Sequence, residues 1–473
     1  MIKLKEVIAQ LQESNYEAIE NELIKNKADN FVILLKAYRK GNVADAHIAA
    51  ELGINSNSFY VLKSRLYDKI QKSLSADTFE TQENIIKQLL QVHEICFNSP
   101  REIAIAFLHK LETELLRFDM HNELQIIYSA LKKMHLYSDR YFYYSQLFNK
   151  HVALGLSLEK AEEILGNFNR LLGRYNFSRS QEYLSTLHFI NREIINQYAL
   201  NASRQIEIIK NIIELQLILF CSENKSNEHN TEELLQNTRR LFSELPETSP
   251  QKKWELVLDF LYFEYYQSLQ QIKAAQQYYE KTNDHLPHIL LYNNICLSSR
   301  FLISKLKFCY ETNRIEDISE DPEANKLLFD IADTHAKVLI GIYNSMLYFN
   351  RNRLKEAISS LNEVINTFGF KDYFHESINV KLTLAYFYLI AEDHDMVETT
   401  LKGISRKIKA EKLEKYDYVM NLIKVFDIEI NKNKTDKLHS KKRDLITLFL
   451  ANNGRPVELL THLVPELKRR YQS

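Results

Sequence analysis

Residues 341–365 read GIYNSMLYFNRNRLKEAISSLNEVI. The stretch fits two helices joined by a turn. Ser345 is small, so the helices of the pair can approach closely there. Tyr348 follows three residues later and fills the groove between them. Leu354, Ala357 and Leu361 then share one face of the second helix, because residues three and four apart lie on the same side of it. The unit recurs 40 residues on, where Ala385 stands for Ser345, Tyr388 for Tyr348, Val397 for Ala357 and Leu401 for Leu361. Upstream, Tyr266, Ile272, Ala275 and Tyr279 keep the same steps of nine and four residues, with Phe263 in place of the small residue.

These positions resemble the tetratricopeptide consensus, a helix-turn-helix pair repeated in a right-handed superhelix. The consensus proline at the end of each unit is missing, and the 40-residue offset exceeds the usual repeat of about 34. The units are therefore degenerate. The resemblance spans residues 255–405; over 100–254 the support is helical periodicity alone. It implies an all-α fold, an α-solenoid whose long face holds peptides or helices of partner proteins.

Composition supports an all-helical chain. The 473 residues include only 9 Gly and 7 Pro, far below average usage. Hairpins and phosphate-binding loops need the backbone angles those residues supply. With 45% hydrophobic residues the chain can bury a large core, which excludes a disordered protein. A net charge of -1 argues against a wholly basic nucleic-acid coat, although charge is uneven. Eight acids face two bases between Glu311 and Asp333, and thirteen bases face six acids between Lys402 and Arg443. The spacings of Cys96, Cys221, Cys296 and Cys309 match no zinc pattern, so they read as buried thiols in a reducing compartment. The N-terminus reads as an amphipathic helix without the apolar run of a signal peptide, and no apolar run reaches the roughly 18 residues of a membrane span. The expectation is a cytoplasmic protein with no membrane contact.

The chain divides into four regions. Residues 1–75 form a small helical domain, with helices expected near Ile2–Ser14, Tyr16–Ile24 and Ala28–Arg39. Residues 76–250 form a degenerate helical-repeat region, 251–430 the tetratricopeptide-like repeats, and 431–473 a basic loop with a capping helix. Pro287 and Pro322 stop helices locally.

Residues 45–66 read DAHIAAELGINSNSFYVLKSRL. Ile48 and Ala49 sit on a first helix that a second must cross, and Leu52 is core. Gly53 takes the turn, where a positive φ is easiest for glycine. Ile54 plugs the corner, Ser56 or Asn57 can cap the second helix, and Phe59, Leu62 and Leu66 bury its inner face. The segment resembles the helix-turn-helix of bacterial sigma factors and response regulators, including the run LKSRL. That resemblance implies a second helix in the DNA major groove. Asn55, Ser56, Asn57, Tyr60, Val61 and Ser64 would then face base edges, and Lys63, Arg65, Lys69 and Lys72 would contact phosphates. From Phe31 to Ser75 there are seven bases and three acids, which suits that role. Val61 is apolar where a reader is often polar, and no Arg or Gln occupies a base-reading position. The alternative is a helix pair that caps the first repeat with internal or protein contacts only.

No phosphate-binding, dinucleotide, nucleophile-elbow or zinc-protease motif occurs. His285 and His288 are separated by Pro287, and His335 and His375 have no motif partner. Adjacent acids such as Glu162 and Glu163 point apart on a helix. The expectation is therefore no catalytic residue, no metal and no cofactor. The sequence reads as a non-enzymatic regulator or adaptor; the resemblance implies a bacterial one, and the Asn, Lys, Ile and Tyr bias points to an AT-rich genome. It would bind a protein or peptide through the repeat surface, with DNA as a further partner of the amino-terminal segment. The rival is a pure interaction scaffold without nucleic-acid contact.

Overall fold

The computed structural model describes residues 4–11, 13–41, 44–76, 82–221, 228–245, 249–285, 295–318, 334–411, 414–431, 436–454 and 458–472. Pro287, His288 and Pro322, and the side chains of Lys72 and Cys296, lie outside the described residues. The described residues hold 23 α-helices and no strand. Among them no helix is long and apolar enough to cross a membrane. Two compact units divide the chain, one mainly Met1–Val152, the other Ala153–Glu244, Lys253–Pro322 and Ile331–Ser473.

The first unit carries α1 (Leu4–Gln10), α2 (Glu13–Lys25), α3 (Asp29–Lys40), α4 (Asp45–Glu51), α5 (Ser56–Ala76), α6 (Gln82–Leu90), α7 (Val92–Asn98), α8 (Arg101–Arg117), α9 (His121–Met134) and the start of α10 (Arg140–Ser178). Leu4 and Ile8 of α1, Ile19 and Leu23 of α2, Leu34, Leu35 and Tyr38 of α3, Ile48 of α4, and Phe59, Leu66 and Ile70 of α5 make one core. Arg39 closes the end of α1 by donating to the carbonyls of Ile8 at 3.0 Å and Leu11 at 2.8 Å, groups that a helix C-terminus leaves without partners. A second core gathers Leu108, Leu111, Leu115, Leu124, Tyr128 and Tyr144 from α8, α9 and α10.

The second unit holds the rest of α10, then α11 (Gln181–Leu200), α12 (Arg204–Cys221), α13 (Glu228–Ser243), most of α14 (Ser249–Ser268), α15 (Ile272–Asp284) and α16 (Ile295–Glu311). A 3-10 turn at Ile315–Ile318 precedes α17 (Thr334–Asn350), α18 (Leu354–Thr367), α19 (Phe374–Ile390), α20 (His394–Ala410), α21 (Val419–Ile430), α22 (Asp436–Asn452) and α23 (Val464–Gln472). Chain neighbours pack together, most extensively α17 with α18 and α19 with α20. Ser345, Ala357, Leu361, Ala385, Val397, Leu401, Ala275 and Tyr279 are buried, as are Tyr348 and Tyr388. Tyr266 is half-buried, and Ile272 is exposed. The helices α17 and α18 also approach closely at Gly341, one turn before Ser345. A Cβ on Gly341 would collide with Val364 Cγ2. The basic stretch expected as a loop after residue 431 is instead largely α22, because Ile446 and Phe449 bury one helical face while Lys442 pairs with Glu429.

One turn recurs with the same backbone. A helix ends, the second residue after it takes a left-handed conformation, and the next helical turn begins two residues later. Asn352 (φ 58°), Glu392 (59°), Gln270 (58°), Asp119 (57°), Lys27 (54°) and Asn313 (58°) hold that left-handed position. In each, the following amide donates to a carbonyl five residues back: Arg353 to Tyr348, Asp393 to Tyr388, Gln271 to Tyr266, Met120 to Leu115, Ala28 to Leu23 and Arg314 to Cys309, at 2.8–3.0 Å. This is the Schellman closure of a helix end. It extends the nine-residue step read from Tyr348 and Ala357 to Leu115 and Leu124, to Leu23 and Val32, and to Cys309 and Ile318.

None of these six positions is glycine, although an L-residue there costs roughly 1–2 kcal/mol. Exposed Glu392 makes the cleanest test. Glu392→Gly should raise the unfolding free energy by about 0.5–1 kcal/mol in urea titrations, after the extra chain entropy of glycine is subtracted. Glu392→Val should lower it, and a loss with glycine would contradict the backbone account.

Candidate functional site

Two surfaces collect the chemistry, one in each unit. In the first, α4 ends in the same closure, with Ile54 N–H donating to Ala49 O at 3.0 Å and Gly53 N–H to Ala50 O at 3.1 Å. Gly53 has φ +64°. Here the next helix starts one residue later than in the six recurrent turns. Asn55 caps α5, its Oδ1 accepting from Ser58 N–H at 2.8 Å. The cap is thus neither Ser56 nor Asn57, because Asn55 is the last residue before helical backbone begins. Asn55, Ser56, Asn57, Val61 and Arg65 are exposed, and Tyr60 is 61% exposed. Ser64 is half-buried.

Two of the basic residues expected to contact phosphate, Lys63 and Lys69, have partners within the fold. Lys63 is half-buried, bonds Asp45 at 2.8 Å and lies over the rings of Tyr38 and Phe59 at 5.8 and 5.9 Å. Tyr38 donates to the same carboxylate at 2.7 Å. Burial pushes the Asp45 carboxyl up, but the hydrogen bonds from Lys63 and Tyr38 outweigh it and hold the group below the usual carboxylate range. Lys69 rests over Phe31 at 5.6 Å. Arg65 is the exposed cation left on this face, without an ion pair among the described residues.

The second surface is a cavity of about 130 Å³ inside the second unit. Glu264 and Gln267 of α14, Arg300 and Lys307 of α16, His335 and Leu339 of α17, and His375, Glu376 and Asn379 of α19 all contribute to its wall. Each of these helices precedes its recurrent turn or begins a pair. The second helices α15, α18 and α20 contribute nothing among the described residues. The end of α10 adds Asn176, Phe177 and Arg179, and Glu458 and Thr461 close the wall from the C-terminal segment.

That segment lies along α19. Asn379 Oδ1 accepts from Leu460 N–H at 2.9 Å, Thr383 Oγ1 meets His462 Nε2 at 3.0 Å, and the Tyr386 hydroxyl donates to Glu466 at 3.4 Å. Positions 379, 383 and 386 share one helical face. Leu459, Leu460, Leu463 and Leu467 are fully buried as anchors. Leu460 has φ +56°, an uncommon backbone for a branched residue. Lys307 reaches Glu458 at 3.5 Å, and Arg470 reaches Glu429 of α21 at 3.2 Å.

Electrostatics inside the cavity are uneven. Arg300 lies 3.9 Å from Glu264 and stacks over Phe220. Glu376 is buried and accepts from Asn379 Nδ2 at 2.9 Å. Burial pushes its carboxyl up to about 7, and the Asn379 bond and the Arg179 charge reduce the rise only in part. His375 Nδ1 meets the Tyr416 hydroxyl at 2.9 Å, and burial, reinforced by Arg179 and Lys415, drives the ring well below its ordinary range and keeps it neutral. Arg179 donates to Asn176 Oδ1 at 3.2 Å and the Phe220 carbonyl at 3.4 Å. Its Nε is buried without an acceptor.

Sequence reasoning set His335 and His375 aside as unpartnered. They are 40 residues apart, the repeat offset, and so occupy equivalent positions on successive first helices. Asn379 and Leu339 keep the same offset. The signal was present in the repeat register. Arg179 carried no such signal, since it sits outside the recognisable units. Elsewhere, His121 and His151 form a buried pair with Nδ1 atoms 3.2 Å apart. No group of three or more metal-ligating side chains occurs among the described residues. No family model matches the chain, and neither does any curated protein or solved structure.

Proposed function

We propose that the chain is a non-enzymatic regulator or adaptor whose helix pairs form a solenoid that binds a protein or peptide. The first helices would supply the binding face. One observation carries this reading. The face of α19 already accepts a polypeptide, the segment from Glu458 onward, through a backbone amide bonded to Asn379 and leucine anchors. An asparagine that holds a main-chain amide, flanked by apolar sockets, is the chemistry of peptide capture. A photo-crosslinking residue at Lys307, on the cavity wall, should capture a discrete partner in cells of the native source. The same residue at exposed Ile272 on α15 should not. Equal capture at both positions, or none at Lys307, would sink the reading.

A second reading places nucleic acid on α5, favoured by the exposure of Asn57, Tyr60, Val61 and Arg65 at its amino-terminal half. With Lys63 engaged by Asp45, Arg65 becomes the main charge available to a phosphate. Fluorescence anisotropy with mixed duplex DNA at low salt should then show binding that weakens with salt. Arg65→Glu should reduce it more than Lys63→Gln does. A flat titration would leave the scaffold without a nucleic-acid role.

A further inference from the structure

We propose that the cavity of the second unit binds a small zwitterion, a free α-amino acid with an apolar side chain, its carboxylate on Arg179 and its ammonium on Glu376. Six charged side chains line the cavity: Arg179, Arg300, Lys307, Glu264, Glu376 and Glu458. Arg300 lies against Glu264 and Lys307 against Glu458. That leaves one cation and one anion. Arg179 has no carboxylate within ion-pair distance among the described residues, and its buried Nε has a proton with no acceptor. Buried donors without partners are costly, so a group that accepts from them gains. Glu376 is 4% exposed and has Asn379 as its hydrogen-bond donor. A carboxylate can accept several bonds, and this one has room for a strong donor. Arg179 and Glu376 do not neutralise each other directly, yet both face the same small space.

The ligand class follows from that pair. A dianion such as phosphate would meet one guanidinium and be repelled by Glu376. A simple amine would be repelled by Arg179. A metal ion would find no group of three ligating side chains placed to hold it among the described residues, too few for a stable site. A zwitterion satisfies both charges at once, and guanidinium with carboxylate is a strong, planar match. Size agrees as well. A water needs roughly 10–15 Å³ of such volume, so a cavity of 130 Å³ has space for a small organic molecule. Phe177, Ile303, Leu339 and Ile342 supply apolar wall for the side chain. A bound ammonium would favour the ionised form of Glu376 against the burial that raises its affinity for its proton. The proposal goes beyond the peptide reading: it concerns a small ligand within the cavity, whose wall includes Glu376 and Asn379 of α19, and the titrations below measure that ligand without any partner protein.

The test uses the full chain and three probes: leucine, 4-methylpentanoate, which lacks the ammonium, and 3-methylbutylamine, which lacks the carboxylate. Isothermal titration should give one leucine per chain, with both truncated probes at least tenfold weaker. Arg179→Gln and Glu376→Gln should each weaken leucine at least tenfold. Equal affinity for leucine and 4-methylpentanoate would make this an anion site and overturn the proposal. So would the absence of any heat or melting shift with leucine, isoleucine, valine, methionine or phenylalanine at millimolar concentration. The probe comparison is made on the unsubstituted chain, so a variant that fails to fold leaves the test intact.

Discussion

Replacing Tyr279 by alanine should cost about 3–5 kcal/mol, the range for removing a large ring from a packed core. Its ring is 1% exposed and lies 4.8 Å from Phe308 and 5.8 Å from Phe263, centroid to centroid. Its hydroxyl donates to Asp317 at 3.1 Å and meets Cys309 Sγ at 3.5 Å. The residue therefore joins α15, α16 and the short turn at Ile315–Ile318. Tyr279→Phe keeps the ring and loses the hydrogen bond, so it should cost nearer 1 kcal/mol. Asp317 retains Arg314 at 2.9 Å. Urea unfolding of both variants, followed by circular dichroism, separates the two contributions. A loss under about 1.5 kcal/mol for the alanine variant would mean that the aromatic seam is loosely packed.

The buried ring of His462 should make the second unit lose stability, with a slope of up to one proton per molecule, as pH falls. His462 is fully buried against Thr383, and burial pushes its ring down to about 3. Its folded value lies below its unfolded value near 6.5. Stability from the neutral ring is therefore complete above about 6.5 and falls as pH drops toward 3. His375 acts in the same direction. Glu376 acts in the opposite one, because its folded value near 7 exceeds the unfolded 4.5, so its burial costs less as pH falls through that window. Glu311 and Asp427, whose carboxyls burial also raises, act with Glu376, and Glu429, raised by burial but held down by Lys442 and Arg470, acts with the histidines, so the contribution of His462 is read from its own substitution. Between pH 6.5 and 4.5, His462→Gln should flatten the stability slope by about one proton, near 1.4 kcal/mol per pH unit. Urea midpoints at pH 7, 6 and 5 for both proteins would show it. Parallel slopes would mean that His462 is protonated in the fold or solvated by opening.

The recurrent pairs were legible wherever the close contacts use tyrosine with alanine, as at Tyr348 and Ala357. They were illegible where the same backbone turn carries leucine on both sides, as at Leu115 and Leu124, since leucine nine residues apart is ordinary in any amphipathic helix. The division between the two units falls inside α10, and a continuous helix leaves no composition break to mark it. On α5 the apolar face and Gly53 were readable from spacing. The fate of Lys63 was not, because its partner Asp45 lies across the turn and local charge counts treat both as free. The cavity was hidden for a related reason. Two residues of its wall, Arg179 and Glu376, lie almost two hundred positions apart in sequence, and only folding brings them to one wall.

The fixed length of the recurrent turn sets a limit on how this chain can change. Each residue added at a helix start rotates the remainder of that helix by about 100°. An insertion between Asn350 and Leu354 would therefore swing Ala357 and Leu361 off their partner helix and turn polar residues inward. Between pairs no such constraint holds. The step from one tyrosine-equivalent position to the next is 43 residues from Tyr266 to Cys309, 39 from Cys309 to Tyr348 and 40 from Tyr348 to Tyr388. Length variation is thus absorbed outside the pairs. Among the described residues the turn between α4 and α5 carries one residue more than the six recurrent turns, which by the same arithmetic rotates the start of α5 by about 100° relative to their second helices.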